Sequence, residues 1–333
     1  MTAFIEAHAS KVAEAAERIR PYVRRTPCLT TDLDPELRLK AECFQVTGSF
    51  KPRGAFNAVL SQMAREPRPM GLIAVSSGNH AQAVALAART VGIPALILIP
   101  EDANPAKVAA TRALGAEVIQ KGITFANREE RLHELMAERG FSLVHPFDDW
   151  DVIHGQGTAA AEMLDDEPQL GVVATPVGGG GLLSGSAIVA KSRNPAIRVI
   201  GVEPVLADDA FQSWKAGSIK SLATAPATLA DGVRTTSVGE RTFEVMFGEG
   251  LVDEIVTVTE EEIAVGVRVA WTRLHLALEP TGALPLAAYL AGKLTGSEAR
   301  PARAPAGPAG SVGLILSGGN ANLETVAKLL GTR

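Results

Sequence analysis

From about residue 71 onward, short β-rich runs alternate with longer Ala-rich helical patterns, and that alternation restricts the chain to βαβ units on a parallel sheet. The runs fall at 72–75, 95–99, 116–119, 143–145, 172–177, 199–203, 255–258 and 313–317. Turn formers and charges crowd residues 65–71 (REPRPMG) and 146–151 (PFDDWD), so the sequence predicts a small mobile lobe, 67–148, inserted in a larger one made of 1–66 and 149–333. Residues 295–310 (TGSEARPARAPAGPAG) read as a floppy surface loop before the last strand. Residues 2–20 carry charges where a signal peptide needs an apolar stretch, and they read as an amphipathic helix. The most apolar segment, VGIPALILIP at 91–100, is far short of the ~20 residues a membrane span requires.

Composition narrows the partners. Lys and Arg total 32 against 37 Asp and Glu, a net charge of -5 with no long basic run, which argues against nucleic acid and anionic membrane and for a small-molecule ligand. The two cysteines, Cys28 and Cys43, make neither a disulfide framework nor a CxxC zinc site, as expected of a reducing, cytoplasmic compartment.

In open α/β sheets ligands bind at the carboxyl ends of strands, and three strand-end loops stand out: Ser76-Ser77-Gly78-Asn79-His80, Gly178-Gly179-Gly180-Gly181 and Ser317-Gly318-Gly319-Asn320. Four glycines between a strand and a helix let backbone N–H groups gather round an oxyanion at the helix's positive end. No Gly-Lys-Ser/Thr follows, and no G-x-G-x-x-G register fits 178–185, so the loop is neither a Walker loop nor the dinucleotide fingerprint. Glu203, at the end of the next strand, still keeps a nicotinamide oxidoreductase as an alternative. A second constellation is Thr47-Gly48-Ser49-Phe50-Lys51-Pro52-Arg53-Gly54-Ala55. Pro52 suits a first helical turn and Ser49 can cap it, which sets Lys51 at a positive helix end that favours its neutral amine. A phosphate cradle with a poised amine is what pyridoxal phosphate (PLP) requires.

With Ala230-Asp231-Gly232-Val233 and Glu279-Pro280-Thr281-Gly282, these motifs stand in an order that resembles the threonine dehydratase and serine racemase branch of fold-type II PLP enzymes, over about residues 20–325. Short bacterial threonine deaminases look most similar, through His145-Pro146-Phe147-Asp148-Asp149 and Gly155-Gln156-Gly157-Thr158. The resemblance implies a two-lobed α/β fold like that of the tryptophan synthase β chain, with mostly parallel sheets flanked by helices. It implies Lys51 as the Schiff-base lysine; Gly178, Gly179, Gly180, Gly181 and Leu182 at the phosphate; Phe50 on the ring face; Asn79 at the ring hydroxyl; Glu279 beside the cofactor; and Ser317 at the ring nitrogen. The substrate carboxylate would meet Ser76, Ser77, Asn79, His80 and Arg128, although without the family Arg128 reads as a solvated helix charge. Glu203, the carbonyl of Ala207 and Asp209 would hold Mg or Ca; read alone, Asp208 and Asp209 could equally favour a helix amino end.

The implied reaction is β-elimination, with the Lys51 amine as general base. L-Threonine would give 2-oxobutyrate, L-serine would give pyruvate, and each would release ammonia. A serine racemase using Ser77 on the opposite face, or a hydroxyaspartate dehydratase, belongs to the same branch. Phe147 and Thr235 stand where animal serine racemases carry asparagine and serine, which favours the dehydratase. A non-catalytic amino-acid sensor would be expected to lose Lys51 or the glycine loop, and both are intact. Only 13 residues follow Asn320, too few for an isoleucine-sensing domain, and the family implies a homodimer or homotetramer. His8, His133, His145, His154 and His275 have no metal-ligand spacing.

Overall fold

The computed structural model describes residues 2–76, 78–101, 103, 105–124, 126–294 and 310–331. The β-rich runs pair as β1 (Cys28–Thr30), β2 (Leu37–Ala41), β3 (Leu72–Val75), β4 (Ala95–Leu98), β5 (Glu117–Ile119), β6 (Ser142–Leu143), β7 (Val172–Pro176), β8 (Arg198–Pro204), β9 (Glu254–Val258) and β10 (Val312–Leu316). Two sheets result, one ordered β1-β2-β10-β7-β8-β9 and one ordered β5-β4-β3-β6. Every pairing is parallel except β1 with β2. The smaller sheet draws all its strands from the stretch between Leu72 and Leu143.

Period-two alternation divides the larger sheet's side chains between two layers of helices. Along β8, Val199 joins one core with Leu183 and Ile188 of helix Gly181–Arg193 and Ile153 of helix Trp150–Asp166. Ile200 and Val202 turn the other way, toward Ile263 and Leu284. In β10, Ile315 faces the first layer while Leu314 and Leu316 face the second. The smaller sheet repeats the pattern: Leu72, Ala74 and Ile97 pack on Val84 and Ala88 of helix Asn79–Val91, and Ile73, Leu96 and Leu98 pack on Leu132 and Leu135. Each fully buried Leu, Ile or Val contributes roughly 1.5–3 kcal/mol, so both faces of both sheets are fixed by the alternation.

The expected amphipathic helix is present as Thr2–Ile19, with Ile5, Val12, Ala15 and Ile19 buried. Strands β1 and β2 are additions that the sequence reading did not anticipate. Residues 295–309, most of the stretch read as a floppy loop, lie outside the described residues. Among the described residues no helix is long and apolar enough to cross a membrane.

Candidate active site

Parallel strands in one sheet deliver their carboxyl ends to one edge, and that geometry gathers two of the conspicuous loops with the Lys51 segment. The glycine loop follows β7, the Ser317–Asn320 segment follows β10, and the segment carrying Lys51 lies against it. An isolated bridge joins Ser49 to Gly318, and the Phe50 N–H donates to the Ser317 carbonyl over 3.0 Å. Glu279 N–H reaches the Gly318 carbonyl over 3.2 Å, so residues 49–51, 279 and 317–320 converge on one place. From the smaller sheet, the loop after β3 brings Asn79 to the same place: Asn79 Nδ2 donates to Glu279 Oε1 over 2.7 Å. Ser77 lies outside the described residues.

Lys51 opens helix Lys51–Met63, with Pro52 in its first turn. The expected Ser49 cap is not made. Phe50 occupies the capping position without a side-chain bond, and the buried Ser49 hydroxyl has no partner among the described residues. The bridge to Gly318 takes Ser49 out of the helix and turns it toward the loop after β10. Lys51 Nζ donates to the Pro146 carbonyl over 2.8 Å. Although part of the side chain reaches solvent, burial round the amine lowers its pKa to about 8.

The glycine loop ends at Gly180, whose φ of 94° is the left-handed conformation that glycine adopts without strain; helix Gly181–Arg193 begins directly after it. A Cβ added at Gly179 would run into the Phe147 ring. The Gly179 carbonyl accepts from the Thr242 hydroxyl over 2.7 Å, and the loop runs directly into a helix amino end. Leu182 is buried in the core behind this turn, and Ser317 is buried at the end of β10.

Burial sets the protonation of the surrounding groups. Desolvation, and secondarily the Lys51 charge, lowers His80 to about 3, and its Nε2 lies 2.8 Å from the Val144 carbonyl. The ring is therefore neutral, with its proton on Nε2. Burial, with Asp231 adding to it, raises Glu279 to about 7. His145 is lowered by burial; its Nδ1 accepts the backbone N–H of Phe147 and of Asp148, over 3.3 and 2.7 Å. Arg128 opens helix Arg128–Arg139 and pairs with Glu129 of the same helix over 3.5 Å. That ion pair lies within the helix.

Beside this site, at the end of β8, Glu203 and Asp209 form a second cluster. Glu203 accepts the N–H of Ala210 and of Phe211, over 3.1 and 2.9 Å, so it is turned into its own loop and not outward toward a ribose. Both Asp209 carboxylate oxygens are buried without a hydrogen-bond partner among the described residues. Burial raises the pKa of both acids, that of Asp209 to about 7. Ala207 is fully buried between them in sequence. Among the described residues no group of three or more His, Cys, Asp and Glu side chains gathers in a metal-holding arrangement.

Sequence reasoning passed over a buried network under Lys51. Arg53, fully buried, donates through Nε and Nη2 to the two oxygens of Glu42 and through Nη1 and Nη2 to those of Glu162, all within 2.9 Å. Lys40 Nζ adds a bond to Glu162 over 2.7 Å. The basic residue stood within the Lys51 motif, but its acids lie 11 and 109 residues away, beyond any local pattern. The Asn320 side chain likewise bonds, among the described residues, only to segments remote in sequence, the Thr47 carbonyl and the Asn79 side chain.

Residues 19–300 match the model of the pyridoxal-phosphate dependent enzyme family. L-threo-3-hydroxyaspartate ammonia-lyase of Saccharomyces cerevisiae is 43% identical over 326 residues, covering 96% of this chain and 95% of the yeast protein. Serine racemase of Arabidopsis thaliana is 41% identical, covering 95% of this chain and 93% of its own. The crystal structure of a T.th. threonine deaminase is 48% identical and superposes with a TM-score of 0.84, over 94% of this chain and 98% of that one. The chain belongs to the pyridoxal-phosphate dependent enzymes, in the branch that carries out β-elimination and racemisation of amino acids.

Proposed function

We propose that this protein eliminates water from β-hydroxy-α-amino acids, converting L-threonine to 2-oxobutyrate and L-serine to pyruvate with release of ammonia. The observation that carries the reading is Lys51: a buried amine with a lowered pKa, paired among the described residues with a carbonyl and not with a carboxylate, at the mouth of a glycine loop shaped for phosphate. These residues fit PLP. The turn at Gly179 and Gly180 tolerates no side chain, and its N–H groups, with Leu182, would hold the phosphate at a helix amino end. Phe50 would pack on the ring, Ser317 would meet the ring nitrogen, and Asn79, supported by Glu279, would donate to the ring hydroxyl.

Bound there, PLP supplies the electron sink that makes a Cα proton removable. With its pKa lowered to about 8, Lys51 keeps a neutral fraction that takes that proton on Nζ as general base. Ser76, Ser77, Asn79 and His80 would orient the substrate carboxylate, and Arg128 would join them when the lobe of residues 67–148 closes on the lobe of 1–66 and 149–333. All strands of the smaller sheet belong to that stretch, which supports its moving as a unit. The β-hydroxyl departs as water, taking up the proton that Lys51 removed, and the enamine released takes up water to give oxo acid and ammonia.

Glu203, the Ala207 carbonyl and Asp209 are proposed to hold Mg or Ca. The donor set fits: two unpartnered buried oxygens on Asp209 and two carboxylates without a cation among the described bonds are what a hard divalent ion completes.

The 43% identity to the yeast hydroxyaspartate ammonia-lyase supports a second substrate, L-threo-3-hydroxyaspartate, and the likeness to plant serine racemase supports a proton return from Ser77. Incubating the PLP-loaded protein with the three amino acids, while following oxo acid and the chirality of residual serine, tests these readings together. Oxo acid from threonine or serine is the expected result. Turnover of hydroxyaspartate alone would move the assignment to that substrate, and absence of D-serine would end the racemase reading.

A further inference from the structure

Three segments from distant parts of the chain meet at Asn320. Its Nδ2 donates to the Thr47 carbonyl over 2.6 Å and to the Asn79 side-chain oxygen over 2.7 Å, so both its N–H groups are used. Asn79 in turn donates through Nδ2 to Glu279 Oε1 over 2.7 Å. The directions of these bonds are forced. A backbone carbonyl only accepts, so the Asn320 atom facing Thr47 is nitrogen. That same nitrogen also faces Asn79, so the Asn79 atom there is oxygen and the atom facing Glu279 is nitrogen. Flipping the Asn79 amide would set nitrogen against nitrogen at one end and oxygen against a carboxyl oxygen at the other.

The backbone is bent to reach this arrangement. Thr47 has a φ of 59°, in the left-handed region that non-glycine residues seldom occupy, and this turn aims its carbonyl at Asn320. Gly48 follows with a φ of 73°, and a Cβ there would lie 2.6 Å from Asn320 Oδ1. The Gly48 carbonyl accepts the Gly319 N–H over 2.9 Å, so the turn is tied down on both sides. A strained residue held in place by its surroundings is characteristic of positions whose geometry matters to a site.

We infer that Asn320 is a positioning residue: it locks the Asn79 amide so that the one N–H left unused points into the cofactor site, and it ties that donor to the turn leading into Lys51. The inference rests on the proposed role of Asn79 toward the PLP ring hydroxyl. It goes beyond that role by naming what fixes the donor's orientation and what links the loop after β3 to the lysine segment.

The test compares the wild-type protein with Asn320→Asp, which keeps shape while replacing the donor by an acceptor, and with Asn320→Ala. The readouts are the visible absorption band of the PLP-loaded protein across pH, the PLP dissociation constant, and the melting temperature of the cofactor-free form. Both substitutions should weaken PLP binding by about tenfold, the order of one lost hydrogen bond, and shift the pH response of the band while cofactor-free melting stays near wild type. A band and an affinity unchanged in both variants would overturn the inference. So would loss of folding in both cofactor-free variants, which would make Asn320 a part of the scaffold only. A wild-type protein that binds no PLP would instead defeat the proposed function, so the two failures are distinguishable.

Discussion

Two places in the molecule bury several carboxylates, and they handle the charge in opposite ways. Around Arg53, Glu42 and Glu162 are met by a guanidinium and by Lys40, with every guanidinium nitrogen bonded. Burial opposes the Arg53 charge, yet the two acids raise its pKa above the ordinary value; burial likewise opposes ionisation of Glu162, yet Arg53 and Lys40 hold its pKa below the usual range. Around Asp209, no cation of the chain approaches among the described bonds, two backbone N–H groups serve Glu203 alone, and the Asp209 carboxylate oxygens have no hydrogen-bond partner among the described residues. The first cluster is completed by folding. The second is left for something that folding does not provide, and a divalent ion is the simplest candidate. The first cluster's central residue, Arg53, lies in the first turn of the helix that begins with Lys51.

Removing the central cation is the strongest way to break the contrast. Arg53→Met leaves Glu42 and Glu162 buried without their main partner and should lower unfolding free energy by about 3–5 kcal/mol in denaturant titration; a loss within error would mean the network is slack. Lys40→Met removes one bond to Glu162, which Arg53 still holds, and one to the Thr26 carbonyl, and should cost about 1.5–3 kcal/mol in the same assay. At the other cluster the expected signs differ. EDTA should lower the melting temperature by a few degrees, and Mg or Ca should restore it, whereas Asp209→Asn should abolish that response without destabilising the metal-free protein. Melting and turnover both indifferent to EDTA would remove the proposed ion.

The smallest effect concerns the pH dependence of loading. Only the neutral amine condenses with an aldehyde, and the Lys51 pKa is lowered to about 8. The rate of PLP incorporation into cofactor-free protein should therefore rise about tenfold per pH unit below that value and level off above it. A rise that continued to the ordinary lysine range would show the amine to be solvated.

What the sequence made legible followed from range. Every strand from β3 to β10 announced itself as a local apolar run, and the glycine loop and the Lys51 motif were each readable within ten residues. Strand β2 was missed because LRLKA alternates leucine with arginine and lysine, the pattern of an exposed edge. In the fold it runs between β1 and β10, and Lys40 is fully buried because Glu162 compensates it from 122 residues away. Ser49 read as a helix cap for the same reason: the bridge to Gly318 that withdraws it is invisible locally. Asn320 was noticed as part of a motif, but its partners Thr47 and Asn79 lie 273 and 241 residues distant. Local chemistry was therefore readable, and long-range compensation was not.

The most direct measurement of the central claim follows 2-oxobutyrate from L-threonine in PLP-loaded wild-type protein and in Lys51→Ala under the same conditions. The account predicts steady oxo-acid release from the first and none above background from the second, with both proteins folded. Near-normal release from Lys51→Ala would contradict it, because the proton at Cα would then be removed by a group other than the amine on which the whole site is built.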